Sequence, residues 1–290
     1  KSIGFDPAKN LSVFSKKSGA IIITDFFSAE KFSENFGVKK AKIITSIAMF
    51  YDLEDPSKFV SDISKTLDPD GIWILELSYL PLMLNQNAFD TIVHEHLEYY
   101  DLFTIEFLLS KYELKVIDVQ LNDMNGGSFR IFVQHQTKKI DEESLKRINS
   151  IRENEKKLKL DTNIPFNSFI EQINNEKEKL LKFIQNEVDN GKTIHGYGAS
   201  TKGNTLLQFY NLDKNLIPFI ADRNPDKWGR KTIGTDIKII SEEESHSINP
   251  DYYLILPWHF INEFVKRENI YLKNGGKFLV PLPNFKIITS

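Results

Sequence analysis

Two imidazoles and two carboxylates fall within five residues at His94-Glu95-His96-Leu97-Glu98. Imidazole titrates near neutral pH, so such a cluster can move protons under physiological conditions. His94 and His96 are two apart. They share a face on extended backbone and diverge on a helix. The spacing is not His-Glu-x-x-His, which removes the helical zinc-protease arrangement. One reading is a general acid or base whose tautomer is fixed by a neighbouring carboxylate, with Glu95 the nearest in sequence. A His-x-His metal pair and a hydrogen-bonded structural loop are the alternatives.

Other segments carry weaker chemistry. Asn125-Gly126-Gly127-Ser128 can present backbone N–H groups and a hydroxyl to a developing oxyanion, or can be a plain hairpin turn. Gly196-x-Gly198-x4-Gly203 departs from the usual Gly-x-Gly-x-x-Gly, yet a strand precedes it and a helix follows. Ser200 and Lys202 would put a hydroxyl and a cation where a phosphate meets a helix N-terminus. Asp222 comes 24 residues after Gly198 and closes the next strand, as a ribose-binding acid would. Near the start, Asp6 follows Ile3-Gly4-Phe5, and Asp25-Phe26-Phe27 ends the next strand. A carboxylate at a strand end suits ribose hydroxyls, and one beside aromatic rings suits an adenine. At least one of Phe26 and Phe27 is expected in the core.

These residues need a scaffold. Ala20–Thr24 reads as a strand, Ala29–Phe36 as a helix, Lys42–Ile47 as a strand and Pro56–Leu67 as a helix. A turn at Pro69-Asp70-Gly71 leads to a buried strand, Ile72–Leu77. Apolar strands alternating with helices indicate a parallel sheet covered on both faces. Leu114–Leu121 and Ser128–Gln134 read as an antiparallel pair at its edge. Lys138 to Asn190 is charged and helix-favouring. From Lys192 the alternation resumes, with strands at Thr193–Tyr197, Ile217–Ala221, Tyr252–Leu256 and Lys277–Pro281 and helices at Asn204–Tyr210 and His259–Arg267. The expected division is 1–137 for the first α/β domain, 138–190 for a helical connector, and 191–290 for a second, doubly wound one.

A chain of 290 residues with 41% hydrophobic and 27% charged residues suits two globular domains. A net charge of −3 gives no general attraction for nucleic acid or anionic membrane. With no cysteine, disulfides, thiol nucleophiles and cysteine-ligated metals are excluded within these residues. That fits a reducing cytoplasm, the expected location. No apolar run is long enough to span a bilayer as a helix.

Taken together, the motifs resemble those of the sugar C-methyltransferases that act on nucleotide-linked keto-deoxysugars. In the first α/β region the carriers are Ile44 to Leu53, Glu76 to Leu80, Phe89-Asp90-Thr91-Ile92, the His94 to Tyr100 segment and Gly126 to Arg130. In the second they are Gly196 to Leu207, Asp222 to Arg230 and Leu256-Pro257-Trp258-His259. The resemblance implies S-adenosylmethionine as methyl donor and a class I methyltransferase-like doubly wound sheet followed by a Rossmann-like α/β domain. It implies a nucleotide-sugar substrate, His96 as catalytic base with Glu95 and His94 beside it, and Asp6, Asp25 and Phe26 on the donor. Asn125, Gly127, Ser128, Ser200, Lys202 and Asp222 would face the substrate. Two positions depart from the family pattern. Val93 stands where a Tyr usually precedes His-Glu-His, and Asn125 where a His often precedes Gly-Gly-Ser. The family's zinc-binding N-terminal module and Gly-rich donor loop would align before Lys1. Zinc is therefore expected only there, and weak donor binding is expected of these 290 residues by themselves. The competing readings are a nicotinamide-dependent oxidoreductase, built on the Gly196–Gly203 turn, and a non-catalytic nucleotide-sugar-binding protein.

Overall fold

The computed structural model describes residues 1–10 and 19–289. In chain order the elements are β1 (Ile3–Phe5), β2 (Ile21–Ile23), α1 (Ala29–Phe36), β3 (Ala41–Ile47), α2 (Pro56–Thr66), β4 (Leu67–Ser78), α3 (Leu80–Asn85), α4 (Leu102–Ser110), β5 (Leu114–Asn122) and β6 (Ser128–His135). Then come α5 (Glu142–Leu158), α6 (Ile164–Asp189), β7 (Ile194–Tyr197), α7 (Thr201–Phe209), β8 (Phe219–Asp222), β9 (Lys238–Ser241), α8 (Glu242–Ile248), β10 (Tyr252–Ile255), α9 (Ile261–Arg267), α10 (Asn269–Lys273), β11 (Lys277–Val280) and β12 (Lys286–Ile288). Single 3-10 turns at Phe89–Thr91, Met124–Gly126 and Trp258–Phe260 matter below.

The chain forms two compact units. The first gathers Lys1–Leu77, Leu102–Gln120 and Phe129–Arg152; the second gathers Ser78–Asp101, Leu121–Ser128 and Glu153–Ser290. This differs from a division at 137 and 190. The segment from Ser78 to Asp101 joins the second unit because Met83, Leu84, Ala88 and Phe89 pack into one core with Phe169, Ile173, Leu180, Leu206 and Leu207. The same core takes in residues of α6, within the stretch read as a helical connector. One face of α6 buries Phe169, Ile173, Leu180 and Ile184, spacings of four and seven residues that place them on one apolar stripe.

In the first unit, β1 and β2 pair in parallel, with Ile3 opposite Ile21. A second sheet runs β3-β4-β6-β5. β3 and β4 are parallel, and their register slips: Ala41 faces Leu67 while Ile43 faces Ile72. The residues expected to form a turn, Pro69-Asp70-Gly71, therefore lie within β4, looped out at this slip. A Cβ on Gly71 would sit 2.8 Å from the Ala41 carbonyl oxygen, so the side-chain-free residue is required there. The helices begin on side-chain caps. Ser28 accepts from Lys31 N–H at 3.2 Å, and Asp55 from Lys58 N–H at 2.8 Å with Pro56 at the first helical position. An aromatic chain runs from half-buried Phe5 to Phe27 (5.3 Å), Phe59 (5.4 Å) and then the buried Trp73 (6.2 Å). Phe27, half-buried, is the more enclosed ring of the Phe26-Phe27 pair.

The second unit holds a six-stranded sheet in the order β12-β11-β10-β7-β8-β9. All neighbours are parallel except β11 and β12. β9 and β12 were not foreseen; each is short. From β7 the chain moves outward through β8 to β9, then returns to β10 on the other side of β7. The strand order therefore reverses between β7 and β10. In open α/β sheets that is where loops at the carboxyl ends of strands diverge and leave a crevice for a ligand. The fold is α/β in both units, and the second holds the doubly wound, Rossmann-like sheet. No helix among the described residues is long and apolar enough to cross a membrane.

Candidate active site at the strand-order reversal

The turn after β7 is built around Gly198, whose φ is +84°. A Cβ there would lie 2.7 Å from Pro257 Cγ, in the loop after β10. The two loops that leave the reversal point are thus in direct contact. Ser200 caps α7, its Oγ accepting from Gly203 N–H at 3.0 Å. Its own O–H stays available as a donor at the helix N-terminus. Asp222 closes β8 as expected, but its carboxylate is engaged within the protein. Oδ2 accepts from Ala199 N–H at 2.8 Å and from Lys227 Nζ at 3.2 Å, while Oδ1 accepts from Asn224 N–H at 2.8 Å. Lys227 also donates to the Ala199 carbonyl at 2.7 Å. Asp222 thus fastens the glycine turn.

His96 lies in the segment before α4 and belongs to the same unit as the turn. Its ring is half-buried and donates to the Thr91 carbonyl. Burial lowers its pKa first and the nearby Lys202 ammonium second; the Thr91 carbonyl and Glu95 oppose them. The net direction is downward, so the imidazole is neutral at physiological pH. His94 and Glu95 differ. Both are exposed, and they face each other, with Nδ1 and Oε2 3.3 Å apart. Of the three clustered residues, only His96 has the partly desolvated setting of a base.

Lys202 is the electrostatic centre of the site. Burial lowers its pKa and the carboxylate of Asp90 raises it, the former prevailing. Its charge acts on His96 and also on His259, whose imidazole is pushed down to about 4, mainly by burial. Asp90, Trp258 and His259 entered the sequence reading only as parts of matching segments, with no role of their own. Trp258 Nε1 donates to Asp90 Oδ2 at 2.9 Å across 168 residues of chain. No local spacing signals such a triad; it exists because the Phe89–Thr91 turn packs on α7 and the Trp258–Phe260 turn follows β10.

The Gly-Gly segment also lies here. The Met124–Gly126 turn packs on Trp258–Phe260, and a Cβ on Gly126 would come within 3.3 Å of the Trp258 ring. Its donors are committed, however. Gly126 N–H bonds the Asp123 carbonyl at 3.3 Å, Gly127 N–H the Met124 carbonyl at 3.0 Å, and Ser128 Oγ donates to the Met124 carbonyl at 2.9 Å. The expected oxyanion donors at 126–128 are thus internal to the turn. Asn125 has its backbone in this turn; its side chain is outside the described parts.

In the first unit, Asp6, Asp25 and Phe26 stand at the carboxyl ends of the adjacent parallel strands β1 and β2. Asp6 Oδ1 accepts from Ala8 N–H at 2.8 Å. Asp25 pairs with Lys31, which holds its carboxyl below the usual range, and the Phe26 N–H adds to this. The Phe26 ring is 71% exposed. An aromatic face beside carboxylates at two strand ends suits an adenosine. No group of three or more His, Cys, Asp or Glu able to hold a metal occurs among the described residues.

Residues 123–283, more than half of the chain, match the family described as C-methyltransferase C-terminal domain. The C-methyltransferase NovU of Streptomyces niveus is 31% identical over 291 aligned residues, which cover 99% of this chain and 68% of NovU. Among solved structures, a SAM-dependent methyltransferase of Thermotoga maritima, described as a possible histamine N-methyltransferase, aligns over 47% of this chain and 73% of its own, with 13% identity and a TM-score of 0.38. LepI in complex with SAM aligns over 47% of this chain and 36% of its own, with 14% identity and the same score of 0.38. Likeness at that level says nothing about chemistry.

Proposed function

The chain belongs to the C-methyltransferase family, and from that premise we propose that it methylates a carbon next to a ketone in a nucleotide-linked keto-deoxysugar, with His96 as the base. The protein is an S-adenosylmethionine-dependent methyltransferase. Asp6, Asp25 and Phe26 are suited to hold the donor's ribose and adenine, and the donor, when bound, supplies an electrophilic methyl group.

The observation that carries the proposal is the state of His96. A hydrogen beside a ketone is a weak acid, and its removal needs a positioned, neutral base. The Thr91 carbonyl accepts from one ring nitrogen, which fixes the ring and leaves the other nitrogen as the basic one. A positioned base of this kind contributes on the order of 10²–10⁴-fold. The enolate left behind is negative. Lys202 places a cation in the same partly desolvated site, which favours that charge and the substrate's phosphates alike. Ser200 adds a hydroxyl donor at the start of α7, where a phosphate is favoured by the helix N-terminus. Val93 stands where the family has a phenol, so the side chain at 93 cannot assist His96 in proton removal.

The test is transfer of isotopically labelled methyl from S-adenosylmethionine to a panel of nucleotide-linked keto-deoxysugars, with the product located by carbon NMR. Label on a ring carbon adjacent to the ketone is expected. Label on an oxygen or nitrogen overturns the carbon assignment. Tight substrate binding without any transfer overturns the enzymatic reading of this site.

A further inference from the structure

Of the chain's three tryptophans, Trp73 and Trp258 are buried, whereas Trp228 is 45% exposed. It follows the 3-10 turn Pro225–Lys227, beyond the carboxyl end of β8, and no step above uses it. A single exposed apolar residue is ordinary. This one is set apart by its fixed orientation and its place. Its Nε1–H donates to the Asp222 carbonyl at 2.7 Å, which holds one edge of the ring. The backbone on either side is held as well. Asn224 Oδ1 accepts from Asp226 N–H at 3.0 Å, and Gly229 N–H donates to the Ile239 carbonyl at 2.9 Å.

The place is set by the strand-order reversal. Lys227, next to the ring, donates to the Ala199 carbonyl at 2.7 Å, and Asp222 accepts from Ala199 N–H at 2.8 Å. The Trp228 turn is thereby tied to the glycine turn that leads into Ser200 and Lys202. A nucleotide sugar with its phosphates at the start of α7 extends in two directions. On the β10 side stand Pro257, against Gly198, and Trp258, bonded to Asp90 of the turn whose Thr91 carbonyl holds His96. The ketone has to reach His96, so the sugar belongs on that side. The nucleoside is left the β8 side, where doubly wound sheets hold a ribose. The charge there also suits a nucleotide. Between residues 223 and 231, Arg223 and Arg230 are exposed and in no ion pair among the described residues, and Asp226 is the one acid.

We infer that Trp228 binds the substrate's nucleobase, its indole face the platform on which the base stacks. This deepens the nucleotide-sugar reading and rests on it. Every base has a π-face, so stacking gives affinity and leaves the choice of base to other groups. The hydrogen bond to Asp222 fixes the ring before the ligand arrives, which lowers the ordering cost of binding.

The experiment titrates full-length protein calorimetrically with thymidine and uridine diphosphates. Trp228→Leu keeps apolar bulk and loses the flat ring. Trp228→Phe keeps a flat ring and loses the indole N–H. Trp228→Leu should lose about fivefold to a hundredfold in affinity, and Trp228→Phe less. Equal losses in both overturn the platform, since what the two share is the missing bond to Asp222. Unchanged affinity in Trp228→Leu overturns it too. A further readout needs no leucine variant. Acrylamide quenching of the emission that Trp228→Phe lacks should fall when thymidine diphosphate saturates the parent protein, and unaltered quenching overturns the platform. Lys202→Met separates the two levels. Weaker diphosphate binding there, with Trp228→Leu like the parent, removes the platform alone. No binding of either diphosphate by the parent protein removes the nucleotide reading and the platform with it.

Discussion

At the residue scale, four side chains from three segments of the chain act on one another. Lys202 lowers the pKa of His96, Asp90 raises that of Lys202, and Trp258 anchors Asp90. A charge-assisted hydrogen bond is worth roughly 1.5–3 kcal/mol. Lys202→Met should therefore weaken nucleotide-sugar binding by about tenfold to a hundredfold. Binding of S-adenosylmethionine should be untouched, because Asp6, Asp25 and Phe26, which we propose hold it, belong to the other unit. Calorimetry with each ligand checks both halves. The His-Glu-His cluster was conspicuous in the sequence, but its members separate in the structure. Exposed His94 and Glu95 pair with each other, and half-buried His96 keeps the setting of a base. Asp90 was quoted only as part of a matching segment. Nothing local marks it, because its significance comes from Trp258, 168 residues away.

At the scale of elements, the glycine turn after β7 is defined by contacts. Gly198 has positive φ, and its missing Cβ leaves room for Pro257. Gly198→Ala should cost roughly 1–3 kcal/mol of stability and loosen the loop that carries Ser200. Chemical denaturation should show the loss, and nucleoside diphosphate affinity should fall with it. A variant as stable as the parent would show that the loop tolerates another path. The α/β alternation was legible because buried parallel strands are continuous apolar runs. Lys238–Ser241 and Lys286–Ile288 were not, being short edge strands with too few apolar residues to stand out. Asp222 shows a different limit. Its position at a strand end was readable, whereas its engagement with Ala199, Asn224 and Lys227 depends on how the following 3-10 turn folds back. The inward bonds of the Gly126 and Gly127 N–H groups and of the Ser128 hydroxyl were not readable for the same reason, since a sequence does not say whether a turn's donors bond inward.

At the scale of the whole molecule, buried imidazoles link stability to pH. His195 lies inside the second unit, its Nδ1 2.8 Å from Ser245 Oγ, and burial pushes its pKa down to about 4. The unfolded chain, titrating near 6.5, binds more protons than the folded one between those values. Stability is therefore complete above about pH 6.5 and falls as pH drops towards 4, by about 3 kcal/mol from this group. Thermal unfolding followed over that range should show the decline, and His195→Gln should flatten part of it. An equal slope in the variant would assign the decline to other groups. The central claim concerns His96, and it can be tested without the methyl-transfer step. A nucleotide-linked keto-deoxysugar is incubated in deuterium oxide with the full-length enzyme, and proton NMR follows exchange beside the ketone. The parent enzyme should catalyse exchange, and His96→Asn should reduce it to the uncatalysed rate while S-adenosylmethionine affinity stays the same. Exchange in His96→Asn at the parent rate would contradict the assignment of His96 as the base.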